Sequence, residues 1–138
     1  MIYNKQICPW SISDPLMIKY HNKEWGVPVH NDKKLFEFLI LEGFQAGLSW
    51  LTILKKRENF RKAFDNFDFN LIANYNEKKI NSLLNDSGII RNKLKIQGAI
   101  LNAQAFIKVR EEFGTFNKYI WQFIDEKPIC NKFKSPKE

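Results

Sequence analysis

Apolar positions recur along this chain at spacings of three and four, and the strict alternation of a half-buried strand is nearly absent. The pattern predicts an all-α fold of six to seven helices. Asp14 followed by Pro15 reads as an N-cap with proline at the first helical position, opening a helix that runs to about Trp25 and stops at Gly26-Val27-Pro28. Asp32 is the expected cap of a second helix reaching about Ala46. Its run Leu35-Phe36-Glu37-Phe38-Leu39-Ile40-Leu41 is apolar nearly all round, so it is expected at the centre of the fold. Gly47 breaks this helix and Ser49 caps a third, from Trp50 to about Phe64, whose outer face carries Lys55, Lys56, Arg57, Arg61 and Lys62. Asp68 caps a short turn. Further helices are expected near Glu77–Leu84, from about Asn92 to Glu112 with Ile96, Ile100, Ala103 and Ile107 as its inward stripe, and from Phe116 to Ile124 behind a Thr115 cap. Residues 1–127 read as one domain, and 128–138 as a polar, frayed tail.

The segment Leu41-Glu42-Gly43 through Gln45-Ala46-Gly47-Leu48-Ser49-Trp50 carries the chemistry. It ends the apolar run with a carboxylate, Glu42, that the run is expected to bury. Burying a carboxylate is costly unless a cation or a donor meets it. Trp50, Tyr20 and Trp25 offer electron-rich rings to the same kind of partner, so a flat cationic ligand fits the set. The same rings would also serve as core aromatics, and Glu42 as a helix-end residue paired with a lysine.

Charge changes the picture in the second half. The 138 residues carry a formal net charge of +7, and residues 1–50 are balanced, with five basic and five acidic side chains. From Ser87 to Arg110 there are Arg91, Lys93, Lys95, Lys108 and Arg110, and no acid. A polyanion suits such a field, although an AT-rich coding sequence also enriches lysine. Within this stretch Leu83-Leu84-Asn85-Asp86-Ser87-Gly88-Ile89-Ile90-Arg91 joins two helices through a turn. Backbone N–H groups at Gly88 and the charges of Arg91, Lys93 and Lys95 are expected to grip phosphates without reading bases, as a helix-hairpin-helix does. Two cysteines, Cys8 and Cys130, make no disulfide framework, no apolar run is long enough to span a membrane, and the expected setting is cytoplasmic.

Taken together, Cys8-Pro9-Trp10, Asp14-Pro15-Leu16, Tyr20-His21-Asn22-Lys23-Glu24-Trp25-Gly26-Val27-Pro28, Leu41-Glu42-Gly43, Gln45-Ala46-Gly47-Leu48-Ser49-Trp50, Leu54-Lys55-Lys56-Arg57-Glu58-Asn59 and Gly88-Ile89-Ile90-Arg91-Asn92-Lys93 resemble the DNA-3-methyladenine glycosylase I family of the helix-hairpin-helix superfamily. The resemblance covers nearly all of residues 8–127. It implies hydrolysis of the N-glycosidic bond of 3-methyladenine in double-stranded alkylated DNA by a monomer. It places the base-contacting carboxylate on Glu42, as recognition group and candidate catalyst, the stacking rings on Tyr20 and Trp50 with Trp25 beside them, and the wedge that fills the emptied stack on Leu48. It further implies a structural zinc, with the first two ligands on Cys8 and His21. Nothing after Pro128 matches the segment that supplies the second ligand pair, and Cys130 and His30 stand at no matching position. Two expectations follow, an active glycosylase or a DNA-binding remnant without turnover.

Overall fold

The computed structural model describes residues 8–135, and among them every regular element is helical. The helices are α1 (Pro15–Lys23), α2 (Asp32–Gln45), α3 (Trp50–Ala63), α4 (Phe69–Ile72), α5 (Glu77–Leu84), α6 (Lys93–Phe113) and α7 (Phe116–Trp121), with short 3-10 turns at Pro9–Ser11, Asp65–Phe67 and Gln122–Ile124. Local chemistry sets most of their ends. The side chain of Asp14 accepts from Leu16 N, that of Ser49 from Thr52 N, that of Asp68 from Asn70 N and Leu71 N, and that of Thr115 from Lys118 N. Each satisfies amides that the first turn of a helix leaves without partners.

Asp32 departs from its expected role. Asn31 caps α2, accepting from Lys34 N at 3.0 Å. Asp32 instead reaches across the fold to the start of α7, where its carboxylate accepts from Phe116 N, Asn117 N and the Arg110 side chain at 2.8–3.0 Å. Negative charge at a helix start is favourable, so one aspartate fastens α7 to α2. His30 adds a second fastening, stacked on Trp121 and hydrogen-bonded to Asn117.

α2 packs against α3, α6 and α7 and contributes Phe36, Ile40, Leu41 and Phe44 to the core. Ile53 and Phe60 of α3, then Phe64, Phe67 and Ile72, close it on one side, and α6 closes it on the other with Ile96, Ala99, Ile100, Ala103 and Phe106. The inward stripe of α6 therefore ends on Phe106 rather than Ile107, which is half-buried. The Phe106 ring meets Phe36 at 5.0 Å and Phe116 at 4.4 Å between centroids, a larger apolar surface than an isoleucine brings.

Two polar expectations also change. Arg57 is not on an outer face: it is 92% buried, and Arg61 is half-buried. Arg57 donates through Nε to Glu37 at 2.8 Å and through its two terminal nitrogens to Glu24 at 2.7 and 2.9 Å, while Arg61 also reaches Glu37 at 2.8 Å. Burial works against the charged carboxylates, but hydrogen bonds and charge from Arg57 outweigh it and hold Glu37 and Glu24 below the ordinary carboxylate value. This network joins the end of α1 to α2 and α3. Beyond α7, Pro128 and Ile129 lie along an apolar hollow beside Val27 and Trp121, and the chain is irregular through Ser135.

Candidate active site

Gly47 ends α2 with φ +77°, a conformation that a side chain would strain. The chain reverses there and Ser49 starts α3, so the end of one helix and the start of the next face α1. This places Glu42 and Gln45 of α2, Trp50 of α3 and Met17 and Tyr20 of α1 around one cavity of about 260 Å³, completed by Trp10 and Trp25. The cavity is large enough for a single purine-sized ring system and opens to solvent.

The rings hold one another. Tyr20 and Trp50 lie 5.3 Å apart at 56°, Trp10 and Trp25 5.4 Å apart at 75°, and Tyr20 and Trp25 6.5 Å apart at 55°. A base sandwiched between two rings needs two contacts of about 3.5 Å, roughly 7 Å in all. Tyr20 and Trp50 are too close for that. They form one tilted wall with no gap for a base between them. Burial, reinforced by the charges of Glu42 and Glu24, raises the Tyr20 phenol above its ordinary value, so it stays a neutral hydroxyl donor. The Trp50 indole N–H is buried and has no acceptor among the described residues.

Glu42 is exposed, against the expectation that the apolar run would bury it. Helical periodicity explains the difference. Phe36, Glu37, Ile40, Leu41 and Phe44 are the buried positions of α2, and Glu42 falls one step off that face, on the cavity side. Its carboxylate makes no ion pair or hydrogen bond among the described residues. The buried carboxylate of this helix is Glu37, which the sequence pattern did not single out. Trp10 was also missed as a site residue, although Cys8-Pro9-Trp10 carried part of the family likeness. Its position depends on the 3-10 turn Pro9–Ser11, folded against the cavity by the contact of Trp10 with Trp25.

Leu48, the residue that the resemblance marks as a wedge, sits in the α2–α3 loop and is 37% exposed. Its backbone is fixed: Leu48 N donates to Gln45 O at 2.7 Å, and Leu48 O accepts from the Gln45 amide at 2.7 Å.

The turn at Gly88 joins α5 to α6, but two of the residues expected to bind phosphate are otherwise engaged. Gly88 N donates to the Asp86 side chain at 2.8 Å, so this amide is not available to an anion. The space there is tight instead, since a Cβ would meet Asp86 Oδ1 at 3.0 Å and the Asn59 side chain at 3.1 Å. Lys95 donates to Phe44 O at 2.9 Å and Ala46 O at 2.7 Å, the carbonyls at the end of α2. Arg91 and Lys93 are exposed and without partners among the described residues, and remain open to phosphate.

For zinc, the residues present do not suffice. Structural zinc takes four protein ligands. Among the described residues no group of three or more His, Cys, Asp and Glu side chains is placed to hold a metal. Cys8 is a free, half-buried thiol, while His21 packs edge-on against Trp10 and bonds the Asn22 side chain at 3.0 Å. Cys8 and His21 are thus two donors at most.

Comparison with known proteins identifies the family and the fold. The sequence model described as methyladenine glycosylase matches residues 10–138. DNA-3-methyladenine glycosylase 1 of Escherichia coli (strain K12) is 47% identical over 121 residues, covering 88% of this chain and 65% of that protein. DNA-3-methyladenine glycosylase of Haemophilus influenzae is 44% identical over 124 residues, covering 90% of this chain and 67% of that protein. The chain thus spans about two thirds of these relatives' length. A crystal structure of 3-methyladenine DNA glycosylase I superposes with a TM-score of 0.91 at 45% identity, over 96% of this chain and 72% of the other. A variant of 3-methyladenine DNA glycosylase I in complex with 3-methyladenine superposes equally well at 32% identity, over 94% of this chain and 70% of the other.

Proposed function

Because the chain belongs to the methyladenine glycosylase family, we propose that it excises 3-methyladenine from alkylated double-stranded DNA. The observation that carries this reading is Glu42: an unpaired carboxylate on the edge of a cavity otherwise walled by Trp10, Tyr20, Trp25 and Trp50. Methylation at N3 makes adenine cationic. A cation gains from the carboxylate by charge and from the ring faces by cation–π attraction, and neutral adenine gains less from both. Discrimination is electrostatic.

The damaged nucleotide must leave the stack to reach the cavity. Leu48 fills the space it vacates, while Arg91 and Lys93 hold the backbone. Water then adds at C1′ of the sugar as the bond from C1′ to the base breaks. The bonding electrons pass to the base and cancel its positive charge, the water loses one proton to solvent as its oxygen bonds C1′, and the products are the neutral base, an abasic site and that proton. Since the cation is lost during cleavage, tight binding of it does not by itself lower the barrier. Glu42 is assigned to recognition first, and its exposed carboxylate is free to act on the water as a second role. All these contacts come from a single chain, so a monomer suffices.

The open mouth of the cavity, with Trp25 57% exposed, favours a second reading, DNA and base binding without turnover. Incubation with methylated duplex DNA separates the two. Release of 3-methyladenine that falls in Glu42→Gln supports excision. Salt-dependent DNA binding with no release by the folded wild-type chain supports the second reading and removes the first.

A further inference from the structure

Lys95 lies in the acid-free basic stretch, one helical turn past the α5–α6 turn, where a phosphate contact is the simple expectation. Its geometry is otherwise. The ammonium spans from the first turn of α6 to two carbonyls, Phe44 O at 2.9 Å and Ala46 O at 2.7 Å, 51 and 49 positions earlier in the chain. The last carbonyls of a helix have no partners within it and carry the negative end of its dipole. No other side chain among the described residues bonds to these two. Gly98 and Ala99 of α6 line a small hollow with Gly43 and Phe44 of α2 at the same point, and the lysine stem runs along it.

We propose that Lys95 is a positioning residue, which locks the end of α2 and thereby sets the loop that places Leu48, Glu42 and Trp50 relative to one another. The loop has two local restraints, the Gln45–Leu48 pair and the Ser49 cap on Thr52 N, and neither reaches α6. Lys95 is the tie from this loop to α6. It links the helix that follows the DNA-gripping turn to the wall of the base cavity, so backbone engagement and base recognition share one rigid frame. The proposal rests on the functional reading above, and it predicts that Lys95 acts on the base rather than on the backbone.

Two titrations well below the melting temperature test it. In the first, binding of the 3-methyladenine base alone is followed by tryptophan fluorescence. In the second, the salt dependence of binding to methylated duplex is measured. Lys95→Met removes the donor and keeps the stem. It is expected to weaken base binding by about 10-fold, the scale of one well-placed hydrogen bond lost in the cavity, and to leave the salt slope at the wild-type value. Lys95→Arg keeps a cation for the carbonyls and is expected to recover most of the affinity. Lys93→Met, by contrast, should lower the salt slope by about 1. Unchanged base affinity in folded Lys95→Met, whatever its slope, overturns the proposal. Should that variant fail to fold, Lys95→Gln is judged by the same criterion. Wild-type chain that binds no 3-methyladenine defeats the functional reading instead. The tie is then still decided by amine acetylation of the wild type, where Lys95 should react more slowly than Lys93, and equal rates refute it.

Discussion

Glu37 and Glu42 stand five positions apart on one helix and have opposite fates. Glu37 is 92% buried and met by Arg57 and Arg61. Glu42 is exposed, unpaired and on the edge of a ring-lined cavity. The first carboxylate is used up within the protein. Its energy goes into joining α2 to α3 and, through Arg57 and Glu24, to α1. The second has its hydrogen-bonding capacity left over for a ligand. Burial alone would have pointed to Glu37 as the functional acid; the inventory of partners points to Glu42.

The comparison breaks most visibly at Arg57. Arg57→Met leaves Glu37 buried with weaker compensation. Loss of one partner from a buried pair costs about 3–5 kcal/mol, and the remaining Arg61 contact puts this case toward the lower end. Urea unfolding is expected to show that loss, whereas Glu42→Gln should stay within about 0.5 kcal/mol of wild type, as a surface change does. A destabilisation of Glu42→Gln equal to that of Arg57→Met would erase the distinction.

Acid sharpens it next. The folded-state pKa values of Glu37 and Glu24 are lowered by Arg57 against the opposing effect of burial. The stability they contribute is therefore present above the ordinary carboxylate value of 4.5 and is lost as pH falls through the lower folded values. The wild-type melting temperature should fall steeply with pH below about 4.5, and Arg57→Met should flatten that limb. Parallel limbs in the two proteins would show that the network is not the source.

A smaller effect is expected at the turn. Gly88→Ala places a methyl 3.0 Å from an Asp86 oxygen that already holds Gly88 N, and 3.1 Å from the Asn59 side chain. Asn59 is exposed and can yield, so the cost should sit near the bottom of the about 1–3 kcal/mol range of overpacking, and be read as a modest shift in the urea midpoint. No shift would mean that glycine is not needed there for closeness.

The helices were legible because their signals are local. Asp14, Ser49, Asp68 and Thr115 each bond an amide two or three residues on. Asn31 and Asp32 are both able to cap, and what decided between them was the start of α7, 84 positions away. The fates of Glu37, Arg57 and Lys95 were hidden for the same reason, since their partners lie 20 to 51 positions off. The cavity residues Tyr20, Trp25, Glu42 and Trp50 were found through family likeness; composition allowed them equally to be core aromatics and a surface acid. Their arrangement as one wall with Glu42 at its edge, and the place of Trp10 beside them, required the packing of α1 against α3.

The central claim is that Glu42, not the better-buried Glu37, recognises the positive charge of the base. Titration of the folded wild-type chain and of Glu42→Gln with 3-methyladenine and with adenine tests it directly. Wild-type protein should prefer 3-methyladenine, and Glu42→Gln should lose most of that preference while keeping its melting temperature. Equal preference in the two proteins would contradict the account.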